Sequence, residues 1–271
     1  MVALKSLLAY RELIIALAWK NISLRYKQAY LGIAWAILRP LMLMSIFVLL
    51  RAFVDIKSGA VPYPVLAYAA LLPWVLFQET ATDGVNSIVG NAHLIKKIYF
   101  PREVFPLTAT ATKVIEFCVN SLVLLLMMAL YGIFPSAQAL WVPAIVLFTL
   151  LAALTIGLAG SALNVFYRDV GAALPVLLSM LMYVSPIIYP LHMVQEKLLV
   201  KQAAGQWSQV LYTLYLCNPV AGIVDSFQRI MLKDLPPDPA ALAPGLALVA
   251  IALPLSYAVF KRAEARFADV I

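Results

Sequence analysis

Six runs of mostly apolar residues divide the chain, at about 33–54, 63–82, 108–133, 140–163, 172–190 and 242–260. A helix needs roughly 20 such residues to cross a bilayer, so each run predicts a transmembrane span. A seventh apolar stretch, 209–232, is interrupted by Asn218-Pro219 and carries Asp225, Gln228 and Arg229. It predicts a broken or re-entrant element, tolerated where protein or water satisfies the freed backbone groups. Ahead of the first span, Tyr10, Leu13, Ile14, Leu17 and Leu24 recur at helical spacing. Arg11, Glu12, Lys20, Ser23, Arg25 and Lys27 fall largely between them. That pattern predicts an amphipathic helix within 1–31, lying in the membrane surface with basic residues toward phosphate headgroups.

Composition agrees. The 271 residues are 64% hydrophobic and 12% charged, with mean hydropathy +0.92, against about 45–50% apolar and about 25% charged in a soluble domain. A soluble globular protein, a disordered chain and a disulfide-stapled secreted domain are excluded. Seventeen prolines against eleven glycines exclude a collagen-like chain. The expected class is an all-α polytopic membrane protein forming a single domain over 1–271.

The net charge of +7 reads as cytoplasmic loops beside anionic lipid, not as a nucleic-acid surface. With six spans and a cytoplasmic N-terminus, most Lys and Arg fall inside. Among them are Lys96, Lys97, Arg102, Arg168 and the cluster Lys261, Arg262, Arg266. The short outer connection near 134–140 carries none. Seven spans would put the Lys261 cluster outside, so six spans with both ends inside is the expected topology. No small-residue cleavage site follows the first apolar stretch, so the chain is expected to keep its start.

Motifs for chemistry within the chain are absent. No G-x-x-x-x-G-K-[ST], H-E-x-x-H or G-x-S-x-G occurs, so neither a P-loop nor these catalytic signatures are available. His93 and His192 fall on opposite sides in this topology and cannot share a metal. Cys118 and Cys217 lie in separate apolar segments and read as free thiols. No metal site and no catalytic residue is expected. Glu79 and Asp83 lie one turn apart at the inner end of the second span, and Lys113 and Glu116 three apart at that of the third. A proton relay is one reading. The other is a salt-bridge set near the interface, with Lys113 reaching for water. A carrier relay belongs more naturally at the midplane, which favours the salt bridges.

The stretch 84–106, GVNSIVGNAHLIKKIYFPREVFP, mixes aromatics, a basic pair and two prolines. Pro101 and Pro106 stop or bend helices on either side. A short helix bearing Leu94, Ile95, Tyr99 and Phe100 could fill an apolar groove on a partner, with basic residues at the rim. An ordinary membrane-surface loop is the alternative.

NAHLIKKIYFPREVFP resembles the signature of the membrane subunit of polysaccharide ABC exporters, the ABC-2 type, which move O-antigen, capsule or teichoic-acid chains. RYKQAYLGIAWAILRPLMLMSIF at 25–47, LNVFYRDVGAALPVLL at 163–178, and YVSPIIYP at 183–190 with LYLCNPVAGIVDSFQ at 214–228 extend the resemblance in order along the chain.

The resemblance implies a homodimer of this subunit in the bacterial inner membrane. Two copies of a separate ATPase would bind ATP and Mg and dock from the cytoplasm. A lipid-linked glycan, O-antigen first among them, would pass between. The coupling segment would comprise Asn91, Leu94, Ile95, Lys96, Lys97, Tyr99, Phe100, Pro101, Arg102 and Glu103. Arg25, Tyr26 and Lys27 would close the interfacial helix against the same partner, and closure would pass to the first and fifth spans. Arg168 and Asp169 would form a second inner contact, or else a local surface ion pair worth about 0–1 kcal/mol.

A glycan pore needs aromatic surfaces for sugar C–H faces. Tyr63, Tyr68, Trp74, Phe77, Tyr183 and Tyr189 are the candidate channel liners, with an interfacial aromatic belt as the alternative. The region 191–240 would form the outer, re-entrant mouth. Ala153, Gly157 and Ser161 form a small-residue face for close helix packing, within the subunit or across the dimer. Three other functions predict different behaviour: an ion-coupled carrier using Glu79, Asp83 and Glu116, an intramembrane enzyme acting on lipid-linked sugars, and an ABC-2 permease for another cargo.

Overall fold

The computed structural model describes residues 10–27, 34–53, 61–96, 101–203 and 208–270. Among these residues the chain is helical throughout, with no strand. In order, the helices are α1 (Arg11–Lys27), α2 (Ala34–Phe53), α3 (Tyr63–Gly90), α4 (Ala92–Ile95) and α5 (Val104–Leu130). After a 3₁₀ turn (Ala137–Trp141) come α6 (Val142–Phe166), α7 (Asp169–Val184), α8 (Leu191–Ala203), α9 (Ser208–Leu216), α10 (Pro219–Leu232), α11 (Pro239–Glu264) and α12 (Phe267–Val270).

Local chemistry sets the ends. Proline opens α3, α6, α10 and α11 in the first turn, where its missing N–H is no loss. Asn218 and Asp238 cap α10 and α11, accepting from the backbone N–H groups of Val220 (3.1 Å) and Ala240 (3.0 Å). Gly132, at φ 70°, closes α5. Its N–H bonds to Ala129 and that of Ile133 to Met128, the paired bonds of a left-handed C-terminal cap.

Among the described residues, four segments are long and apolar enough to cross a membrane: Ala34–Phe53, Val104–Leu130, Ala137–Phe166 and Pro239–Glu264. They coincide with four of the six expected spans. The expected span at 63–82 lies in α3, whose Gln78, Glu79 and Asp83 dilute its apolarity. That at 172–190 lies in α7, which has only 16 residues. The broken element at 209–232 is two helices meeting at 82°. The bend falls at Asn218-Pro219, where Asn218 also donates to Ser185 Oγ at 2.8 Å.

α3 is the hub, packed by α2, α5, α6, α7 and α10. It also runs further than the apolar pattern suggested. Residues 84–90, expected as loop, continue the helix to Gly90, because no proline intervenes between Pro73 and Pro101. On α1, Leu13, Ile14, Leu17 and Ala18 turn inward, and the helix packs on α5. The outward face is not uniformly polar: Ile15 and Trp19 are exposed beside Arg11 and Lys20.

α3 and α6 approach each other to backbone contact. A Cβ on Gly84 would lie 3.0 Å from Gly157 Cα, and one on Gly157 would lie 3.4 Å from Gly84 Cα. Ala153 and Ser161 are fully buried on the same stripe. The small-residue face therefore works within the subunit. Gly157→Ala should be tolerated, since its methyl meets ordinary contact distance. Gly157→Leu should destabilise by about 1–3 kcal/mol or more through overpacking, read as a lowered unfolding midpoint of the detergent-solubilised protein.

Candidate functional site

Two polar assemblies organise one end of the bundle. The first surrounds Lys113, whose side chain is only 1% exposed. Its Nζ lies 2.5 Å from Glu79 Oε2, 2.9 Å from Glu116 Oε2 and 3.3 Å from Asp83 Oδ2. Arg39 Nη1 reaches Glu79 Oε1 at 2.5 Å. The network joins α2, α3 and α5. The salt-bridge reading holds, with one difference: Lys113 is sealed inside instead of extending to water. Glu79 and Asp83 lie one turn apart on α3, and Lys113 and Glu116 lie three apart on α5, so the facing stripes bring three carboxylates around one ammonium. Beside it lies a cavity of about 250 Å³ between α1, α3 and α5, lined by Leu17, Asn21, Asp83, Asn86, Ser87, Asn91, Phe105, Thr108, Ala109 and Thr112.

The second assembly fastens the segment between α3 and α5. Its described part is α4 with Lys96, then Pro101, Arg102 and Glu103. Lys96 is exposed and Asn91 and Leu94 are half-buried. The Asn91 side chain donates to Ser87 O at 2.8 Å, tying the segment to the end of α3. Ile95 is buried, packed in a cluster with Ile88, Phe105, Val165 and Phe260. Glu103 is 4% exposed. It pairs with Lys261 Nζ at 2.5 Å and accepts from Tyr257 Oη at 3.2 Å. Arg102 donates from its backbone N–H to Glu264 Oε1 (3.3 Å) and from its guanidinium to the Glu264 carbonyl. The guanidinium also lies 5.8 Å from the Phe267 ring centre.

Of the sequence-predicted coupling residues, Ile95 and Glu103 thus face their own subunit, and Arg102 is half committed to it. Lys96, with Leu94 beside it, is left outermost. Lys97, Tyr99 and Phe100 lie outside the described residues, as do the side chains of Arg25, Tyr26 and Lys27 at the end of α1. Arg168 and Asp169 are both exposed at the start of α7. Among the described residues they make no ion pair. Their loop is set by Asn164, whose side-chain carbonyl accepts from Gly171 N at 2.9 Å and whose amide reaches Asn86 Oδ1 at 3.3 Å.

The candidate channel liners separate into two groups. Tyr63, Tyr68, Trp74 and Phe77 are each 2% exposed or less. Tyr63 Oη donates to Ile188 O at 2.9 Å and Tyr68 Oη to Asn120 Oδ1 at 3.3 Å. These four fill the core around α3 and present no open face within the subunit. Apolar runs do not say which side of a helix meets protein and which meets lipid. Tyr183 is 61% exposed, and Tyr189 is half-buried with its hydroxyl on Val184 O at 3.0 Å.

Sequence reasoning missed Tyr257 and Glu264, and used Lys261 only as a topology marker. Their spacing of four and three along α11 puts them on one face, a signal visible only once a partner for that face is known. It also missed Asn86 and Asn164.

Residues 12–232 match the family described as ABC-2 type transporter. The chain is 27% identical to the O-antigen export system permease protein of Myxococcus xanthus, over 98% of each chain. An O-antigen export system permease protein of Klebsiella pneumoniae is also 27% identical, over 82% of this chain and 81% of the relative. A polysialic acid transport protein of Escherichia coli is 25% identical over 88% and 86%.

Replacing Lys113 by Met would leave Glu79, Asp83 and Glu116 clustered without their central cation. Removal of one partner from a buried ion pair costs about 3–5 kcal/mol, so Lys113→Met should sharply reduce the monodisperse fraction on size exclusion. Lys113→Arg should lose less.

Proposed function

The chain belongs to the ABC-2 type transporter family, and we propose that it is the membrane subunit of an ATP-driven exporter of a lipid-linked polysaccharide, O-antigen first among candidate cargoes. The observation that carries this reading is the family match over 12–232 in a chain without a P-loop. The names borne by relatives matched over most of their length supply the cargo class. ATP and Mg belong to a separate ATPase, and no covalent step occurs in this subunit.

Two copies form the conduit in the bacterial inner membrane, with six spans each and both termini cytoplasmic. α3 and α7 supply the two spans that length and apolarity alone do not single out. α3 is shielded by its neighbours, so its polar residues meet protein and not lipid. α7 and α2 present broad exposed apolar faces, including Met42, Ile46 and Leu49 on α2 and Leu177, Met180 and Tyr183 on α7. Such faces suit lipid or the second copy. Tyr183 is the aromatic candidate best placed to meet a sugar ring, while Tyr63, Tyr68, Trp74 and Phe77 serve as scaffold.

The segment from Asn91 to Glu103 receives the ATPase. Lys96 with Leu94, together with Lys97, Tyr99 and Phe100, forms the docking part. Ile95 and Glu103 hold that part to the bundle. Arg25, Tyr26 and Lys27, and Arg168 with Asp169, flank it as further contacts. Closure of the ATPase pair then moves this segment, and the glycan advances stepwise to the far side. The ion-coupled alternative gains nothing from the geometry, since Glu79, Asp83 and Glu116 already share Lys113.

The test is co-purification with a separate P-loop ATPase, then glycan uptake into inverted vesicles. Uptake should require ATP hydrolysis. Replacing residues 96–102 with a Gly/Ser stretch should abolish uptake while the subunit still inserts. Uphill transport or chemical change of the glycan by the isolated subunit would overturn the reading.

A further inference from the structure

The segment assigned to the ATPase is fastened at its downstream end to α11, and that helix reaches the bent element on the other side of the bundle. Tyr257, Lys261 and Glu264 lie on one face at the end of α11 and hold Arg102 and Glu103. Glu103 depends on them. Its Oε2 is buried with no hydrogen-bond partner among the described residues, so the carboxylate is compensated through Oε1 alone. Below the charges, Phe260 and Phe267 are fully buried and meet edge to face at 5.5 Å. Together these contacts form a clasp.

The other end of α11 is locked differently. A Cβ on Gly245 would lie 2.7 Å from Pro219 Cα, and one on Gly222 would lie 2.4 Å from the Ala241 carbonyl oxygen. Here α10 and α11 touch backbone to backbone, at the first turns of α10. The bend at Asn218-Pro219 lies directly beside this seam. Between the two ends run 26 helical residues, about 39 Å at 1.5 Å per residue. Pro244 and Pro254 fall inside α11, and each removes one backbone hydrogen bond, yet the helix continues to Glu264, so an axial shift imposed at one end is passed to the other. Only 17% of the apolar stretch of α11 is buried. Its buried residues, Ala241, Gly245, Val249, Ser256 and Phe260, form a single stripe. The helix is thus held at its ends and along one narrow seam.

The geometry points to α11 as a connecting rod: displacement of the coupling segment is carried through the Glu103–Lys261 clasp to α10, and so to the bent element at the far mouth. Lys261 is a positioning residue in this scheme. It touches neither cargo nor nucleotide. The inference rests on the coupling role proposed above and adds the route by which that motion leaves the segment.

The test uses the full complex with its ATPase in inverted vesicles. Lys261→Met cuts the clasp, and Gly245→Ala pries open the far seam. In each variant, glycan exported per ATP hydrolysed should fall by about tenfold, within the range of typical site-to-site coupling energies, while hydrolysis and complex assembly persist. Lys261→Arg should restore the ratio.

A second readout is local. With Cys118 and Cys217 replaced by alanine, Lys233→Cys is labelled with a maleimide in the detergent-purified complex, where both faces are open to reagent and to ATP. Its labelling rate should change on ATP addition in the otherwise unaltered protein and stay constant in Lys261→Met. An unaltered export ratio with retained ATP-dependent labelling in both variants would overturn the rod. Should Lys261→Met fail to assemble, Gly245→Ala decides. If replacing Leu94 and Lys96 by alanine also leaves the export ratio unchanged, the coupling role itself fails. If that change lowers the ratio and the two rod variants do not, only the rod fails.

Discussion

A lysine ammonium enclosed by three carboxylates fixes the relation of α3 to α5, and the rest of this end of the bundle is built on that relation. Lys113, Glu79, Asp83 and Glu116 sit on the two long helices that bracket the connecting segment. Arg39 brings in α2. In a low-dielectric interior such charges persist only when paired and hydrogen-bonded, so the helices cannot slide past each other without exposing one of them. That constraint places the start of α5 beneath the end of α3. Arg102 and Glu103 are thereby set against α11, and Asn91 against the last turn of α3.

The packing above this point follows from side-chain size. Gly84 and Gly157 let α3 and α6 approach to backbone contact. α3 can then occupy the centre, with Tyr63, Tyr68, Trp74 and Phe77 as its filling. Polar groups that would be costly against lipid are satisfied there. Gln228 donates to Leu66 O at 3.0 Å, and Tyr68 to Asn120. A helix that carries charge and polar side chains is tolerated because its neighbours, not hydrocarbon, surround it. This is also why α3 escapes a test based on length and apolarity.

The segment between α3 and α5 divides into an inward half that anchors and an outward half left exposed. Ile95 and Glu103 are committed to their own subunit, while Lys96 stands clear. A segment that receives force from a partner needs both properties. Without the anchor, the motion would be lost in the loop. Without the exposed part, there would be nothing to grip. The buried ion pair and aromatic cluster supply the anchor.

Much of this was legible in the chain itself. Apolar runs longer than a bilayer is thick, prolines at their edges and the Asn218-Pro219 break fix where helices start, bend and stop, because backbone satisfaction leaves no other option in hydrocarbon. The stretch from Asn91 to Pro106, with its two prolines and basic pair, marks the connection between α3 and α5. The direction each helix face points was not legible. Lipid tails are about as apolar as leucine, so hydropathy cannot tell a core aromatic from a lipid-facing or channel-facing one. Hence Trp74 and Tyr183 look alike in sequence, and only packing separates them. The partnership of Glu103 with Lys261 spans more than half the chain. Charge alone names many possible partners for either residue, and the fold alone brings these two within 2.5 Å.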